Sequence, residues 1–275
     1  MALGTAGYVG IGYNKEVELN KPIYKFIPFQ RFLEMLDNNY LYFRNVLRWD
    51  DNWEIPTRLF QSEGLEGLGK LFLEKDCWHE TFATCFTERY DTDAMWRIYS
   101  PNKNSICIET TAAMLLQELT AYNNEYSVYY APIIYCSFTA SDAREIFNEE
   151  KAKEYPAQFY GSYLKRDAFA HEREVRLAIQ SPKYNFENKN PPDGIQLPVN
   201  LRNIVRRIII DPRLTQQEAA FYIDGMDKLG FRTEQSALFS GVLIKGKEYE
   251  EQLNKVLSQS ITGTKFRAFT QNKMQ

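Results

Sequence analysis

The sequence predicts a single domain of the α+β class, in which strands and helices mix without a regular β-α-β rhythm. Three observations support this prediction. Of the 275 residues, 44% are hydrophobic, which is enough for a substantial core. Short segments with the two-residue period of strands alternate irregularly with segments of helical period. No internal repeat is present, and no change in composition marks a boundary between two domains.

Three regions are expected along the chain. Residues 1–20 contain four glycines and predict a flexible arm able to pair as an edge strand, to which we assign no chemistry. Residues 21–244 are expected to form the α+β domain. Residues 245–275 are polar and predict a partly helical tail.

The first half of the chain alternates predicted strands with amphipathic segments. Apolar residues at alternate positions, ended by Pro28, predict a strand over residues 21–29. Apolar residues at helical spacing predict a helix over residues 30–39. The other predicted elements are strands over 40–46, 81–88 and 105–111, and helices over 57–75, 91–104 and 112–119, the last two capped by Asp91 or Thr92 and by Thr110 or Thr111.

In the second half, Pro132 is expected to interrupt or edge a strand over 127–138, because proline cannot donate to a sheet. A helical segment over 141–172, broken at Pro156, is expected to lead into the strand of "HEREVRLAI". The remaining predictions are a loop over 181–194, a strand over 203–212, a helix over 214–231 capped by Thr215, and a segment over 236–244 that closes the core.

Composition limits the function classes. The net charge is −3 with 25% charged residues, which argues against a general nucleic-acid coat or a protein that binds anionic membranes. The four cysteines form no paired ligand motif and there are only two histidines, so no metal is expected. The sequence has no apolar run that could span a bilayer or start a leader. We therefore expect a soluble cytoplasmic protein with reduced thiols.

The strand "HEREVRLAI" carries two carboxylates and a guanidinium on one side. At the two-residue period, Glu172, Glu174 and Arg176 share a face, with the two Glu side chains starting about 6.5 Å apart. In an enclosed site such a pair forms a reaction centre, and Arg176 offers a donor fork for a carboxylate or phosphate. The alternative is an ordinary solvated strand face with a weak ion pair.

Two other segments are candidates for ligand binding. Trp96 and Tyr99 lie three residues apart on a predicted helix, so they form either a core pair or a wall on which a flat ring stacks. Tyr24 and Lys25 point to opposite faces of the first strand. Either side chain is suited to hold a ribose or a phosphate, and a plain strand edge is the alternative.

The segment "LRWDDNWE" combines acids with tryptophans. Asp50, Asp51 and Glu54 are potential ligands of a divalent metal, although their spacing matches no ligand motif. Trp49 and Trp53 beside them indicate an ordered loop near a pocket.

Taken in order, "PIYKFIP", "FATCFTE", "AMWRIYSPNKNSICIE" and "FAHEREVRLAI" resemble the domain-of-unknown-function family twenty-nine seventy-one of bacteria and phages. A weaker resemblance links the chain to ADP-ribosyltransferase-like enzymes, which place Glu-x-Glu at the start of a late strand. That resemblance implies a split sheet with flanking helices and NAD as substrate. It also implies Glu174 and Glu172 as catalytic residues and, for NAD binding, Tyr24, Lys25, Trp96, Tyr99 and Arg176.

Three functions remain open at this stage. The first is an NAD-consuming effector that transfers ADP-ribose to a macromolecule or hydrolyses NAD, in a toxin or phage-defence setting and with a macromolecular acceptor or a neutralising partner. The second is a non-catalytic sensor module that binds a nucleotide or a protein. The third is a metal-dependent nuclease. The first requires Glu172 and Glu174 to line an enclosed cleft that Tyr24 or Lys25 and an aromatic side chain also face.

Overall fold

The structure is a computed structural model that describes residues 9–11, 19–50, 81–122, 125–137, 161–180, 191–240 and 255. The chain divides into a large unit, Met1–Leu238, and a small unit, Phe239–Gln275. The large unit contains every strand and α-helix discussed below. None of the described helices is long and apolar enough to cross a membrane.

The described strands form a ten-stranded mixed sheet and a separate two-stranded sheet. The bounds of the strands are β1 Val9–Ile11, β2 Pro22–Pro28, β3 Tyr40–Asn45, β4 Thr81–Thr87, β5 Ser105–Thr111, β6 Ser127–Pro132, β7 Ile134–Cys136, β8 Leu164–Arg166, β9 Glu174–Gln180, β10 Gly194–Pro198, β11 Arg207–Ile210 and β12 Thr233–Gln235. The large sheet has the order β1-β6-β9-β4-β2-β5-β11-β12, with β10 paired to β3 and β3 paired to β4. Strands β7 and β8 pair in parallel and form the small sheet.

The described helices are short, and three of them begin at a threonine whose hydroxyl accepts a hydrogen bond from the first turn. Their bounds are α1 Phe29–Asp37, α2 Asp93–Tyr99, α3 Ala112–Leu119, α4 Leu201–Ile204 and α5 Gln216–Lys228. Thr92 caps α2, Thr111 caps α3 and Thr215 caps α5, the last within a capping box with Glu218. The α+β class is confirmed, and each of these caps is one that the sequence predicts.

The large sheet forks at β4. Strand β9 pairs with one edge of β4 over its whole length. The other edge is shared: β2 meets it at Thr87, and β3 meets it at Phe82 and Ala83. Cys85 lies between these two pairings. Splitting the edge in this way opens a gap in the sheet, which matches the split sheet that the resemblance implies.

The main core covers one face of the sheet. Helices α1, α3 and α5 contribute Phe32, Leu115 and Met226, each at most 2% exposed, to a cluster with apolar residues from alternate positions of the strands. Burying a side chain of this size contributes about 1.5–3 kcal/mol. The opposite face carries smaller apolar clusters. The polar residues that the large sheet contributes to the candidate site lie on that face, apart from Lys25, which shares the core face with Ile23 and Ile27.

Some predicted elements are wrong in detail. Residues 161–172 do not form an α-helix: two 3-10 helices, Gly161–Tyr163 and Asp167–Glu172, flank the strand β8, which pairs with β7. The interruption expected at Pro132 is confirmed: the strand over 127–138 is divided at Ile133, directly after that proline. The segment over 236–244 begins with a 3-10 turn, Ala237–Phe239, and continues outside the described residues. Strands β10 and β12 were not predicted.

Candidate functional site

A cavity of about 370 Å³ opens over the fork of the sheet. This volume lies within the range of small-ligand sites. Its lining combines acids, bases and aromatic rings from both branches of the fork, the helix α2 and the small sheet. The lining residues are Tyr24, Lys25, Phe26, Arg44, Trp49, Asp50, Cys85, Phe86, Thr87, Met95, Tyr99, Lys165, Glu172, Glu174 and Arg176.

Glu174 is the first residue of β9 and is only 5% exposed. Its carboxylate accepts hydrogen bonds from Arg176, at 2.5 Å from Nε and 3.1 Å from Nη2, and from Lys165 Nζ at 2.9 Å. Burial alone would raise the pKa of Glu174, but Arg176 and Lys165 outweigh it and hold that pKa at about 2. Glu174 is therefore a permanent anion at neutral pH.

Glu172 lies in the same cavity although it is not on the strand. It belongs to a 3-10 turn, and Arg173 after it adopts a left-handed backbone with φ 43° and ψ 51°. This turn, rather than strand alternation, brings both carboxylates to one side. Glu172 is 6% exposed, and it accepts hydrogen bonds from the Tyr99 hydroxyl at 3.0 Å and from Lys165 Nζ at 2.7 Å.

Arg176 is buried beneath the acids. It is 1% exposed, and besides Glu174 it donates from Nη1 to the carbonyl of Ser162 at 2.5 Å. The guanidinium also stacks over the Trp49 ring at 4.1 Å, which places part of the "LRWDDNWE" segment at the cavity. These contacts commit the donor fork of Arg176 to the protein, so its geometry suits the placement of Glu174 rather than the binding of a phosphate.

An aromatic wall faces the acids. The rings of Phe26 and Tyr99 stack with centroids 5.6 Å apart and planes 21° apart. Tyr99 is 39% exposed, and its hydroxyl donates a hydrogen bond to Glu172. Burial, followed by the negative charge of Glu172, raises the pKa of Tyr99, so the hydroxyl remains a donor at neutral pH. Trp96 is 0% exposed and contacts Phe26 edge-on, behind the wall. Of the predicted aromatic pair, Tyr99 reaches the cavity and Trp96 does not line it.

Lys25 reaches the cavity through the fork. Its side chain starts on the core face with Ile23 and Ile27, and its Nζ donates to the carbonyl of Cys85 at 2.9 Å. Burial lowers the pKa of Lys25. The negative charge of Glu174 opposes this lowering of the pKa of Lys25. Among the described residues, no carboxylate lies within ion-pair distance of Lys25 Nζ, so this amine is left for an anionic ligand.

Tyr24 lies on the opposite face of β2 and also lines the cavity. It is opposite Thr87 in the register, and its ring contacts Tyr90 with centroids 4.6 Å apart. Burial, followed by the charge of Glu109, raises the pKa of Tyr24, which therefore carries its hydroxyl proton at neutral pH. Tyr24 and Lys25 are thus brought together although they alternate along the strand.

The acids of "LRWDDNWE" are divided. Asp50 lies at the mouth of the cavity, its side chain 97% exposed and 3.6 Å from Arg44. Asp51 and Glu54 lie outside the described residues. Among the residues that the structure describes, no group of three or more His, Cys, Asp or Glu side chains is placed to hold a metal ion.

Sequence reasoning missed Lys165, Phe26 and Cys85. Phe26 follows Tyr24 at the strand period, so extending the face of Tyr24 by two residues would have found it. Cys85 and Lys165 gave no such signal, because the first depends on the fork and the second lies in a segment predicted as helix. Burial raises the pKa of the Cys85 thiol to about 12, so it is not a nucleophile at neutral pH.

Comparison with known proteins gives a family match and two distant structures. The model of a family described as "Protein of unknown function (DUF2971)" matches residues 95–177, which confirms the predicted resemblance over that segment. No curated protein matches the chain. DarT from Thermus sp. 2.9 in complex with ADP-ribosylated ssDNA is 9% identical, with 78% of this chain and 93% of that chain covered and a TM-score of 0.34. The same protein in complex with carba-NAD+ is 9% identical, with coverages of 81% and 95% and a TM-score of 0.33.

Proposed function

We propose that the cavity binds NAD and cleaves its bond to nicotinamide, passing ADP-ribose to a macromolecular acceptor or to water. One observation carries this proposal. An anionic Glu174, an aromatic wall and the Lys25 side chain, which pairs with no described carboxylate, line the same cavity. These are the three features that the cleavage needs: an anion near the sugar, a surface for the nicotinamide ring, and a cation for the pyrophosphate.

The chemistry follows from the partners of each acid. When the bond between ribose C1′ and the nicotinamide nitrogen breaks, its electron pair stays on nicotinamide and the sugar gains oxocarbenium character. Glu174 has a pKa of about 2, so it serves as a fixed negative charge beside that sugar and not as a proton acceptor. Glu172 is then the base: it takes the proton of the acceptor as the acceptor atom bonds to C1′.

The binding roles are divided in the same way. Phe26 and Tyr99 form the surface on which nicotinamide stacks. Lys25 contacts the pyrophosphate, and Tyr24 contacts the ribose next to it. Arg176 acts indirectly, because it holds Glu174. A toxin or phage-defence setting remains a prediction from the family resemblance.

The decisive test is nicotinamide release from NAD labelled in its nicotinamide ring, with and without cell lysate. We expect release by the wild-type protein and a loss of about 100-fold or more in Glu174→Gln, which keeps the shape but removes the charge. Glu34→Gln is the matched control, since Glu34 pairs with Arg31 on the surface of α1 and should retain full activity. Absence of release from the wild-type protein with any lysate would reject the enzyme.

A binding module is the second candidate, and one observation favours it. Lys165 and Arg176 already match the charges of Glu172 and Glu174. A balanced network of this kind also occurs in sites that hold a ligand without reacting. Calorimetric titration with NAD, combined with the release assay, distinguishes the two functions. Heat of binding without nicotinamide release supports the binding module.

A further inference from the structure

Lys165 connects the two acids of the site. It lies in β8 of the small sheet, outside the large sheet that carries Glu174, and is 7% exposed. Its Nζ is 2.7 Å from Oε2 of Glu172 and 2.9 Å from Oε2 of Glu174. One ammonium therefore bridges two carboxylates that come from different structural elements.

The small sheet makes a second contact with Glu174. In the register of β7 and β8, Tyr135 is opposite Lys165. The Tyr135 hydroxyl accepts a hydrogen bond from the backbone N–H of Glu174 at 2.8 Å. The Phe169 ring, from the turn that leads to Glu172, lies 5.0 Å below the Lys165 ammonium. The Lys165 ammonium is therefore held by the Phe169 ring and both carboxylates, so its own position is fixed.

We propose that Lys165 is a positioning residue that holds Glu172 and Glu174 together as one pair of carboxylates with separate roles. The proposal rests on the proposed function and deepens it. Without the ammonium, the two negative charges repel each other and Glu172 retains only Tyr99 among the contacts described above. The acid that accepts the proton is then free to turn away from the sugar, whereas Glu174 is still held by Arg176.

Lysine suits this position better than a neutral donor. Its compact ammonium presents three protons and can bond to both Oε2 atoms while the Oε1 atoms keep their other partners, Tyr99 and Arg176. Among the described residues, the ionisable side chains that face the pair besides Lys165 and Arg176 include Tyr99, Lys25, Cys85 and Tyr135. Burial raises the pKa of the Cys85 thiol and of the Tyr135 hydroxyl to about 12, so both keep their protons at neutral pH. Removing Lys165 takes away a charge that lowers the pKa of Glu174.

The test compares Lys165→Met, Lys165→Arg and the exposed control Lys228→Met in the full chain. We expect Lys165→Met to lower kcat for nicotinamide release about 30-fold with KM changed less than about 3-fold, and to move the acid limb of the kcat profile to higher pH. Lys165→Arg, which restores the charge, should recover most of kcat and the wild-type acid limb. Lys228→Met should match the wild-type protein, because Lys228 pairs with Asp224 on the surface.

A second readout does not depend on NAD. The side-chain carboxyl signal of Glu174, assigned with the Glu174→Gln variant in protein carrying 13C-labelled glutamate, should titrate at higher pH in Lys165→Met than in the wild-type protein. If the wild-type protein releases no nicotinamide, the proposed function fails, and this titration alone decides the role of Lys165. Unchanged titration, or a Lys165→Met variant with wild-type kcat, overturns the proposal. Should Lys165→Met not fold, Lys165→Gln replaces it in both measurements.

Discussion

At the scale of the residue, the partners of each carboxylate separate two acids that the sequence presents as equivalent. Both are glutamates, two positions apart, and both are buried. Glu174 is bonded to a guanidinium and an ammonium, while Glu172 is bonded to a phenol and the same ammonium. The environment therefore makes Glu174 a fixed anion, which is why we propose Glu172 as the proton acceptor.

Lys25 gives the residue-scale prediction. Replacing it with methionine keeps most of the apolar stem but removes the cation that we assign to the pyrophosphate. Because a hydrogen bond to a charged group contributes about 1.5–3 kcal/mol, the dissociation constant for NAD should rise about 10-fold or more in calorimetry. Lys21→Met, at an exposed lysine that pairs with Glu88, serves as the control and should bind as the wild-type protein does. Equal affinities for the two variants would contradict the assignment.

The sequence predicted most of the acids and bases of the site but not how they are joined. Short-range periodicity and motif resemblance pointed to five residues that do line the cavity: Glu172, Glu174, Tyr99, Tyr24 and Lys25. Lys165 was not predicted because its strand, β8, has only three residues and is recognisable as a strand only through its pairing with β7. Arg176 was expected to bind NAD, but its guanidinium contacts the Ser162 carbonyl and the Trp49 ring. Both residues are distant from Arg176 in the sequence, so the pattern around Arg176 did not indicate these contacts.

At the scale of the element, α2 matters because its last residue is Tyr99. Both ends of this short helix are fastened. Thr92 accepts a hydrogen bond from the Met95 N–H at 3.3 Å, and Arg213 donates to the carbonyls of Trp96 and Ser100 near the other end. Since a helix of this length is not stable by itself, these contacts determine where the Tyr99 hydroxyl meets Glu172.

A pair of cap variants tests this dependence. Thr92→Ala and Thr215→Ala each remove a threonine N-cap, so each should lower the free energy of unfolding by about 1 kcal/mol in urea. Only α2 carries a residue of the cavity, whereas α5 packs against the core on the other face. We therefore expect Thr92→Ala alone to reduce nicotinamide release. Equal activity in both variants at equal loss of stability would show that α2 does not position the site.

At the scale of the whole molecule, the charge network of the site links function to global stability. The folded protein holds the pKa of Glu174 at about 2, below its usual value of 4.5, because Arg176 and Lys165 overcome the effect of burial. A group with a lowered pKa in the folded state stabilises the protein at pH values above its unfolded pKa. That contribution disappears as the pH falls through the folded value.

Acid unfolding provides the corresponding prediction. Between about pH 6 and pH 2, the difference in unfolding free energy between the wild-type protein and Glu174→Gln should shrink by roughly 3 kcal/mol, because only the wild-type protein loses the ionised Glu174. Urea titrations monitored by circular dichroism at several pH values measure this difference. Parallel stability curves for the two proteins would show that Glu174 does not titrate with a lowered pKa.

The local sequence pattern predicted the fold class, whereas the fork in the sheet was expected only from the family resemblance. Strands and helices follow from local period and caps, as Thr92, Thr111 and Thr215 illustrate. The fork arises because β2 and β3 pair with the same edge of β4 at different positions, β2 at Thr87 and β3 at Phe82 and Ala83. Pairing between segments far apart in the chain leaves no mark in the period of either one, and the cavity over the fork is therefore a property of the tertiary structure.

The left-handed backbone at Arg173 restricts how this motif can vary through evolution. The residue between the two acids is solvent-exposed and has no role in the proposed chemistry, so side-chain chemistry leaves it free to drift. The backbone conformation does restrict the choice of residue at this position, where φ is 43°. β-Branched residues are strongly disfavoured at positive φ, whereas glycine and asparagine adopt positive φ readily. A search pattern that accepts any residue at that position would collect chains with both acids but without the turn that places the first of them in the cavity.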